Sequence, residues 1–265
     1  MAVGRERLRR LAPYGIGATV AVGAIALYGL LAPSTPPVTR QNVSEAIASA
    51  LASVTPAPAW SQLVYQAVQP SLVLVETTPS PGAGADEDGG LGSGVVVTIE
   101  GDILTSLHVV EHAGDIELTF IDGSTSPADI VETLPEKDIA VLRATNPPPT
   151  MIPATLGNPA TVQQGSEAYA LGSPFGLYGS VTSGVISGLD RTFTMPDSGR
   201  QLTGLFQIDA AVNPGSSGGA LVNRSGQVIG IVTALVNPTE QQVFVGIGLA
   251  VPIDVAGGAA GLPPY

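Results

Sequence analysis

An all-β fold, with many short strands arranged as a barrel or sandwich on each side of a proline-rich connection, is what this sequence predicts. Three observations carry that prediction. The chain of 265 residues holds 33 Gly and 23 Pro but only 12% charged residues, with Val, Ile and Thr abundant. That mixture favours short strands and turns over long helices. Apolar runs rich in β-branched residues recur along the chain, each closed by Gly, Pro, Asn or Asp. One segment, Asn146 to Gly165 (NPPPTMIPATLGNPATVQQG), carries five prolines and parts these runs into two halves. With no cysteine, the core must hold by packing, without disulfides or thiolate metal sites.

The elements follow in chain order. Residues 1–12 form a basic tail with Arg5, Arg7, Arg9 and Arg10. Residues 13–32 contain the almost wholly apolar run Tyr14 to Ala32 (YGIGATVAVGAIALYGLLA). As a helix rising about 1.5 Å per residue, that run just crosses a ~30 Å hydrocarbon core. The arginines before it would keep the N-terminus cytoplasmic and place the rest outside. A cleaved signal peptide competes with this reading, but its apolar region is usually shorter and no clean A-x-A site follows. An uncleaved transmembrane signal-anchor is therefore expected. Residues 33–59 read as a Pro-stiffened tether and a short helix over Ser44–Val54, capped by Asn42 or Ser44 and ended by TPAPA.

Strands are expected in SLVLVET (Ser71–Thr77), on both sides of Glu100–Gly101–Asp102, in IELTFIDGS with its Asp122–Gly123 hairpin signal, and in DIAVLRA. They resume in EAYALG, SVTSGVISG, LFQIDAAV, a pair around Asn223 to Gly226, and QVFVGIGLAV. The two halves span about 60–150 and 151–256, and 257–265 is a tail. The acidic triplet Asp86, Glu87 and Asp88 lacks the spaced ligand pattern of a calcium loop and reads as solvated.

A formal charge of −12, more acidic still beyond the arginine-rich start, has the wrong sign for a nucleic-acid partner. The chemistry concentrates in NPGSSGGALV (Asn213–Val222), where two serines sit among glycines between two apolar strand candidates. A Gly/Ser linker would join domains; here the glycines let backbone approach a substrate around a nucleophile. The only two histidines, His108 and His112, lie in LTSLHVVEHAG. HVVEH is a literal H-x-x-E-H, which on a helix can place two histidines on one zinc. The segment offers barely one helical turn before Ala113–Gly114, and a zinc site would leave the serines unexplained, so no metal is expected. The other reading is a serine whose proton an imidazole accepts, that imidazole being oriented by a carboxylate. His108, Asp138 and Ser217 supply the pieces in His–Asp–Ser chain order.

Four ordered segments, GSGVVVTIEGDILTSLHVVEHA, DIAVLR, ALGSPFGLYGSVTSGVISGLDR and QIDAAVNPGSSGGALVNRSGQVIGI, together resemble the HtrA (Deg) family of serine proteases, from about Val64 to Ile253. The resemblance implies a chymotrypsin-like double six-stranded β-barrel with the active site between the barrels. On it, His108 is the general base, Asp138 its partner and Ser217 the nucleophile, with Ser216 where the family usually has Asn. The oxyanion hole would use backbone N–H groups of Gly215, Ser216 and Ser217. Ala211, six residues before the nucleophile, would floor a small apolar pocket with Ile208, Ile231, Thr233 and Ala234, selecting cleavage after Val, Ala or Ile.

No metal or organic cofactor is implied. The partners are protein or peptide substrates and, through the N-terminal helix, a membrane with the protease domain extracytoplasmic. The family's homotrimers form near the start of the protease domain, where Trp60 and Tyr65 lie, though two aromatics fit a core equally well. TSLHVV departs from the more usual T-N-x-H-V pattern. The family usually carries PDZ domains, whereas GIGLAVPIDV is followed by AGGAAGLPPY, so a protease without that module is expected. A different class of function stays open: a protease-fold binding or chaperone-like protein whose oxyanion hole rests inactive.

Overall fold

The computed structural model describes residues 3–31, 39–53, 58–80, 89–196, 198–236 and 243–262. The chain divides into two units, Met1–Ala57 and Pro58–Tyr265. In the first, α1 (Val3–Leu31) and α2 (Arg40–Ser53) are helices. The expected membrane span is not reproduced. Among the described residues no helix is long and apolar enough to cross a membrane. Helix α2 starts earlier than predicted because Thr39, not Asn42 or Ser44, caps it. The Thr39 hydroxyl oxygen accepts the Asn42 N–H at 3.2 Å. The remaining tether residues, 33–38 and 54–57, together with Ala32 and the acidic triplet, lie outside the described residues.

The second unit opens with α3 (Trp60–Val68), which buries Val64 and Val68 one turn apart. Six strands follow: β1 (Leu72–Pro79), β2 (Leu91–Val96), β3 (Asp102–Ser106), β4 (Ala113–Thr119), β5 (Thr125–Leu134) and β6 (Ile139–Ala144). They close into a barrel in the order β1-β2-β3-β6-β5-β4, while β7 (Glu167–Gly172), β8 (Ser180–Thr194), β9 (Gln201–Ile208), β10 (Ala220–Val222), β11 (Val228–Leu235) and β12 (Gly248–Pro252) close a second in the order β10-β11-β12-β9-β8-β7. A single helical turn, α4 (Leu107–Val110), joins β3 to β4, and α5 (Ile253–Ala259) follows β12.

Side-chain alternation along the strands explains why they read as nearly unbroken apolar runs. In β1 and β6, Val73, Val75, Ala140 and Leu142 fill the first barrel. Their neighbours Leu72, Ile139 and Val141 turn the other way, into a cluster shared with Leu171, Val222, Ile231 and Val251 of the second barrel. A third cluster, with Ala168, Ile186, Ile208, Leu221 and Val232, fills the second barrel. Both faces of the central strands are thus buried, and the barrels are joined by core rather than by surface. This brings the end of β3, the start of β6 and the segment between β9 and β10 to one place.

Candidate active site

The segment between β9 and β10 holds NPGSSGG, and it is shaped by its hydrogen bonds. Ser216 N–H donates to the Asn213 carbonyl at 2.8 Å, and Ser216 Oγ accepts the Asn213 N–H at 3.2 Å. The pair closes a tight turn. Gly215 stands at φ +95°, and a Cβ there would lie 2.5 Å from the Ser173 carbonyl, so only glycine fits.

Four successive carbonyls along the turn are tied. Pro214 O accepts from Phe175 N–H at 2.8 Å, Ser216 O from Gly219 N–H at 3.0 Å and Ser217 O from Ser93 N–H at 2.8 Å. Gly215 O accepts from Ser93 Oγ at 2.7 Å. In a trans peptide the N–H points opposite to its C=O, so each tie also sets an N–H. The N–H groups of Gly215 and Ser217 donate to no acceptor among the described residues. That of Ser216 is committed to Asn213, so it is corrected out of the predicted oxyanion hole: it already closes the turn.

His108 sits on α4, capped by the end of β3, and Asp138 at the entry to β6. Asp138 adopts the left-handed conformation, φ 57° and ψ 41°, which Asp tolerates better than most residues. The twist turns its carboxylate back onto α4. His108 Nδ1 lies 2.7 Å from Asp138 Oδ2, and the His108 N–H donates to Oδ1 at 2.9 Å. Thr233 Oγ1 of β11 also donates to Oδ2. Asp138 is fully buried, yet its oxygens have three donors, which is what a buried carboxylate requires. His108 keeps about a third of its side chain exposed. Ser217 Oγ donates to the Thr233 carbonyl at 3.3 Å rather than to the imidazole. Thr233 therefore links both ends of the cluster. With Asp138 accepting, the Nδ1 proton is fixed and Nε2 presents a lone pair.

His112 lies beyond α4, which ends at Val110, and its carbonyl accepts from Ser80 Oγ. The H-x-x-E-H spacing does not become a helical face. Among the described residues no cluster of three His, Cys, Asp or Glu side chains could hold a metal ion.

A small depression beside the turn is lined by Leu171, Thr182, Ala211, Ser216 and Val232, among others. Ala211 lines it, its carbonyl held by Thr182 Oγ1 at 2.7 Å. Other predicted pocket residues do not. Ile208 is fully buried inside the second barrel, Ile231 fully buried in the shared cluster, and Ala234 packs against that cluster. Thr233 is committed to Asp138. Alternation on β11 sends Val232, not Ile231 or Thr233, toward the depression.

Sequence reasoning missed Ser93 and Ser106, both fully buried. Ser106 Oγ donates to the Val232 carbonyl at 2.9 Å, pinning the end of β3 to β11. Their only signal was a serine inside an apolar run. Trp60 is half exposed beneath the Arg224 guanidinium, 4.0 Å from the ring centroid, while Tyr65 packs against the shared cluster.

Two closed antiparallel barrels, with a His–Asp pair on one and a glycine-boxed serine turn on the other, define a chymotrypsin-like serine-protease fold. A family model for the trypsin-like peptidase domain matches residues 92–231. The chain is 41% identical over 169 residues to Protease Do-like 1, chloroplastic, of Arabidopsis thaliana, covering 64% of this chain and 38% of that protein. It is 35% identical over 231 residues to Serine protease PepD of Mycobacterium tuberculosis, covering 81% of this chain and 48% of that one. Among solved structures, HtrA-type protease AlgW with tripeptide superposes with a TM-score of 0.67 at 32% identity, over 77% of this chain and 63% of that one. The chain spans less than half the length of those two curated relatives. It belongs to the trypsin-like peptidase family and is similar to HtrA-type serine proteases.

Proposed function

We propose that the chain is an HtrA-type serine endopeptidase acting through His108, Asp138 and Ser217. The observation that carries this is the 2.7 Å contact of His108 with a fully buried, three-donor Asp138, on the cleft where Gly215 and Ser217 N–H find no acceptor among the described residues. Ser217 Oγ, released from Thr233 by rotation about its side-chain bond, attacks the peptide carbonyl carbon. Its proton passes to His108 Nε2, and Asp138 stabilises the imidazolium. The carbonyl oxygen, now negative, takes the N–H groups of Gly215 and Ser217, each typically worth ~3 kcal/mol of barrier. Collapse breaks the C–N bond, His108 returns the proton to the leaving amine, and an acyl-enzyme remains for water to hydrolyse by the same path.

Small apolar side chains before the scissile bond suit the depression, since Ala211 places no charge at its floor. Peptides ending in Val or Ala should be cut faster than one ending in Arg; the reverse order would sink this specificity. The proposal includes unfolded or regulatory proteins as substrates and an extracytoplasmic protease domain. A relative from Halomonas elongata is named a probable periplasmic serine endoprotease. Attachment to a membrane is supported by the apolar run Tyr14–Ala32, in which Val20, Ile25, Leu27 and Leu30 are exposed. Alkaline extraction of membranes checks it: release of the full chain into the supernatant would count against an anchor. Sedimentation of the solubilised chain tests the family's trimer.

A second reading has one observation in its favour. Because Ser217 donates to Thr233 and not to His108, the same fold could rest as an unreactive binding protein. Fluorophosphonate labelling of the full chain, beside Ser217→Ala and His108→Ala, separates the two. Labelling lost in both variants supports the protease; none in the folded wild type supports the resting form.

A further inference from the structure

We infer that Ser93, on the first barrel, is the positioning residue of the oxyanion turn on the second. The inference rests on the functional reading above for its catalytic consequence, but its structural content stands apart. Ser93 is fully buried in β2, a strand contributing no residue to the triad. All its polar groups are used, and three of its contacts cross to the second barrel. Its N–H donates to the Ser217 carbonyl at 2.8 Å, and its hydroxyl donates to the Gly215 carbonyl at 2.7 Å. The same hydroxyl accepts the Ser173 N–H at 2.8 Å. The Ser93 carbonyl is held from behind by Thr105 Oγ1 at 2.7 Å.

The hydroxyl has one proton to place. With Ser173 N–H occupying a lone pair, the proton is directed to Gly215 O. The 215–216 peptide so held sits between the two free donors, Gly215 N–H and Ser217 N–H. Gly215 and Gly218 flank this stretch at φ +95° and +83°, and glycine crosses between backbone basins at little cost. Left untied, the 215–216 peptide, which carries Gly215 O and Ser216 N–H, could rotate and, through the Cα atoms it shares with its neighbours, release the flanking planes that carry Gly215 N–H and Ser217 N–H. A Cβ at Gly218 would lie 2.0 Å from the Ser93 carbonyl, so the approach of β2 to the turn is as close as backbone allows. Ser93 thus fixes one carbonyl by side chain and the next but one by backbone, and ties the 173–177 loop to both.

The test uses the full chain and four forms: wild type, Ser93→Ala, Ser93→Cys and Ser126→Ala. Ser126 is an equally buried hydroxyl of the first barrel, bonded to Pro127 O and Asn146 N–H and remote from the turn, and it controls for lost stability. Ser93→Cys keeps the bulk with a weak donor, should Ser93→Ala not fold. Three readouts are compared: the fluorophosphonate labelling rate, affinity for a P1-valine peptide boronate against its unreactive amide, and hydrogen exchange of the 213–219 amides. In Ser93→Ala, labelling should fall about 10- to 100-fold, short of the about 100- to 1000-fold that outright loss of a donor costs. The boronate, which needs the oxyanion donors, should weaken similarly while the amide holds. Exchange at 213–219 should quicken, with Ser126→Ala like wild type in every readout and Ser93→Cys between.

Wild-type labelling in Ser93→Ala, or equal losses in Ser126→Ala, would overturn the inference. If even wild type is unlabelled while exchange still quickens only in the Ser93 variants, the functional reading fails and the positioning role stands. If exchange is unchanged as well, both fail.

Discussion

The two barrels have the same strand order and contribute in different currencies. The first offers side chains: the imidazole of His108 and the carboxylate of Asp138 come from its edges, where β3 ends and β6 begins. The second offers backbone: two N–H groups with no acceptor among the described residues, on a turn whose glycines leave room for nothing else. Side chains can be aimed by rotamer and hydrogen bond, so the first barrel needs only short strands and one distorted residue, Asp138. Backbone dipoles can be aimed only by fixing whole peptide planes, so the second barrel's turn is tied at successive carbonyls. The lesson is that the side-chain half leans on one hydroxyl from the other barrel, Thr233, whereas the backbone half needs a tie at each successive peptide, from Ser93 and Phe175 above all.

Breaking either half tests that contrast. The largest effect is expected from Ser217→Ala, which removes the nucleophile. Peptide hydrolysis should fall about 10⁶-fold, as in other serine proteases, with the melting temperature unmoved. Asp138→Asn, which leaves the shape but lets Nε2 rather than Nδ1 hold the proton, should cost about 10⁴-fold in kcat. A loss below tenfold would separate Asp138 from the catalytic pair.

Gly215→Ala attacks the backbone half. A side chain at φ +95°, 2.5 Å from Ser173 O, must displace the turn, so calorimetry should show lost stability and labelling should fall by about 10²-fold or more. Thr233→Val sharpens the comparison because Thr233 belongs to the second barrel yet serves the first barrel's carboxylate. Losing one donor to Asp138 should slow kcat about tenfold, since a hydrogen bond to a charged group is worth ~1.5–3 kcal/mol.

The smallest effects belong to the surface. Arg200, on the β8–β9 turn, reaches Glu111 just beyond α4 with contacts of 3.3 and 2.5 Å. Arg200→Ala should change stability by no more than about 1 kcal/mol. Tyr178 is tied to the first barrel by its hydroxyl, which donates to Leu72 O at 2.7 Å. Burial, aided by neighbouring Tyr65, pushes its pKa from 10.0 up to about 12. The unfolded chain loses this proton first, so stability should drop as pH rises from about 10 to about 12. In Tyr178→Phe that drop should shrink in alkaline melts.

Much of the fold was legible. The Asp122–Gly123 hairpin, the strand pair about Glu100–Gly101–Asp102 and the Pro-rich division all rest on turn chemistry, which acts within a few residues. The segments Trp60–Val68 and Ile253–Ala259, and the long β5, were not anticipated. The two helices are short, and packing against the barrels, which no local pattern records, supports them. The candidate triad was legible because each member has an unusual neighbourhood: one of two histidines, an aspartate opening an apolar strand, a serine boxed by glycines. The pocket was not, since its lining depends on which phase of β11 faces inward, and an apolar run buried on both faces hides its phase.

By itself, the sequence determined the all-β class, the division into halves, and which residue types could do acyl-transfer chemistry, because short-range propensity and rare side chains are written position by position. Only the tertiary structure decided that Thr233 holds Asp138, that Ser216 N–H is spent on Asn213, and that Ser93 reaches across 122 residues to Gly215. Those outcomes depend on hydrogen bonds between groups that the chain brings together only when both barrels close, and a buried donor takes whichever acceptor the closed fold leaves within reach.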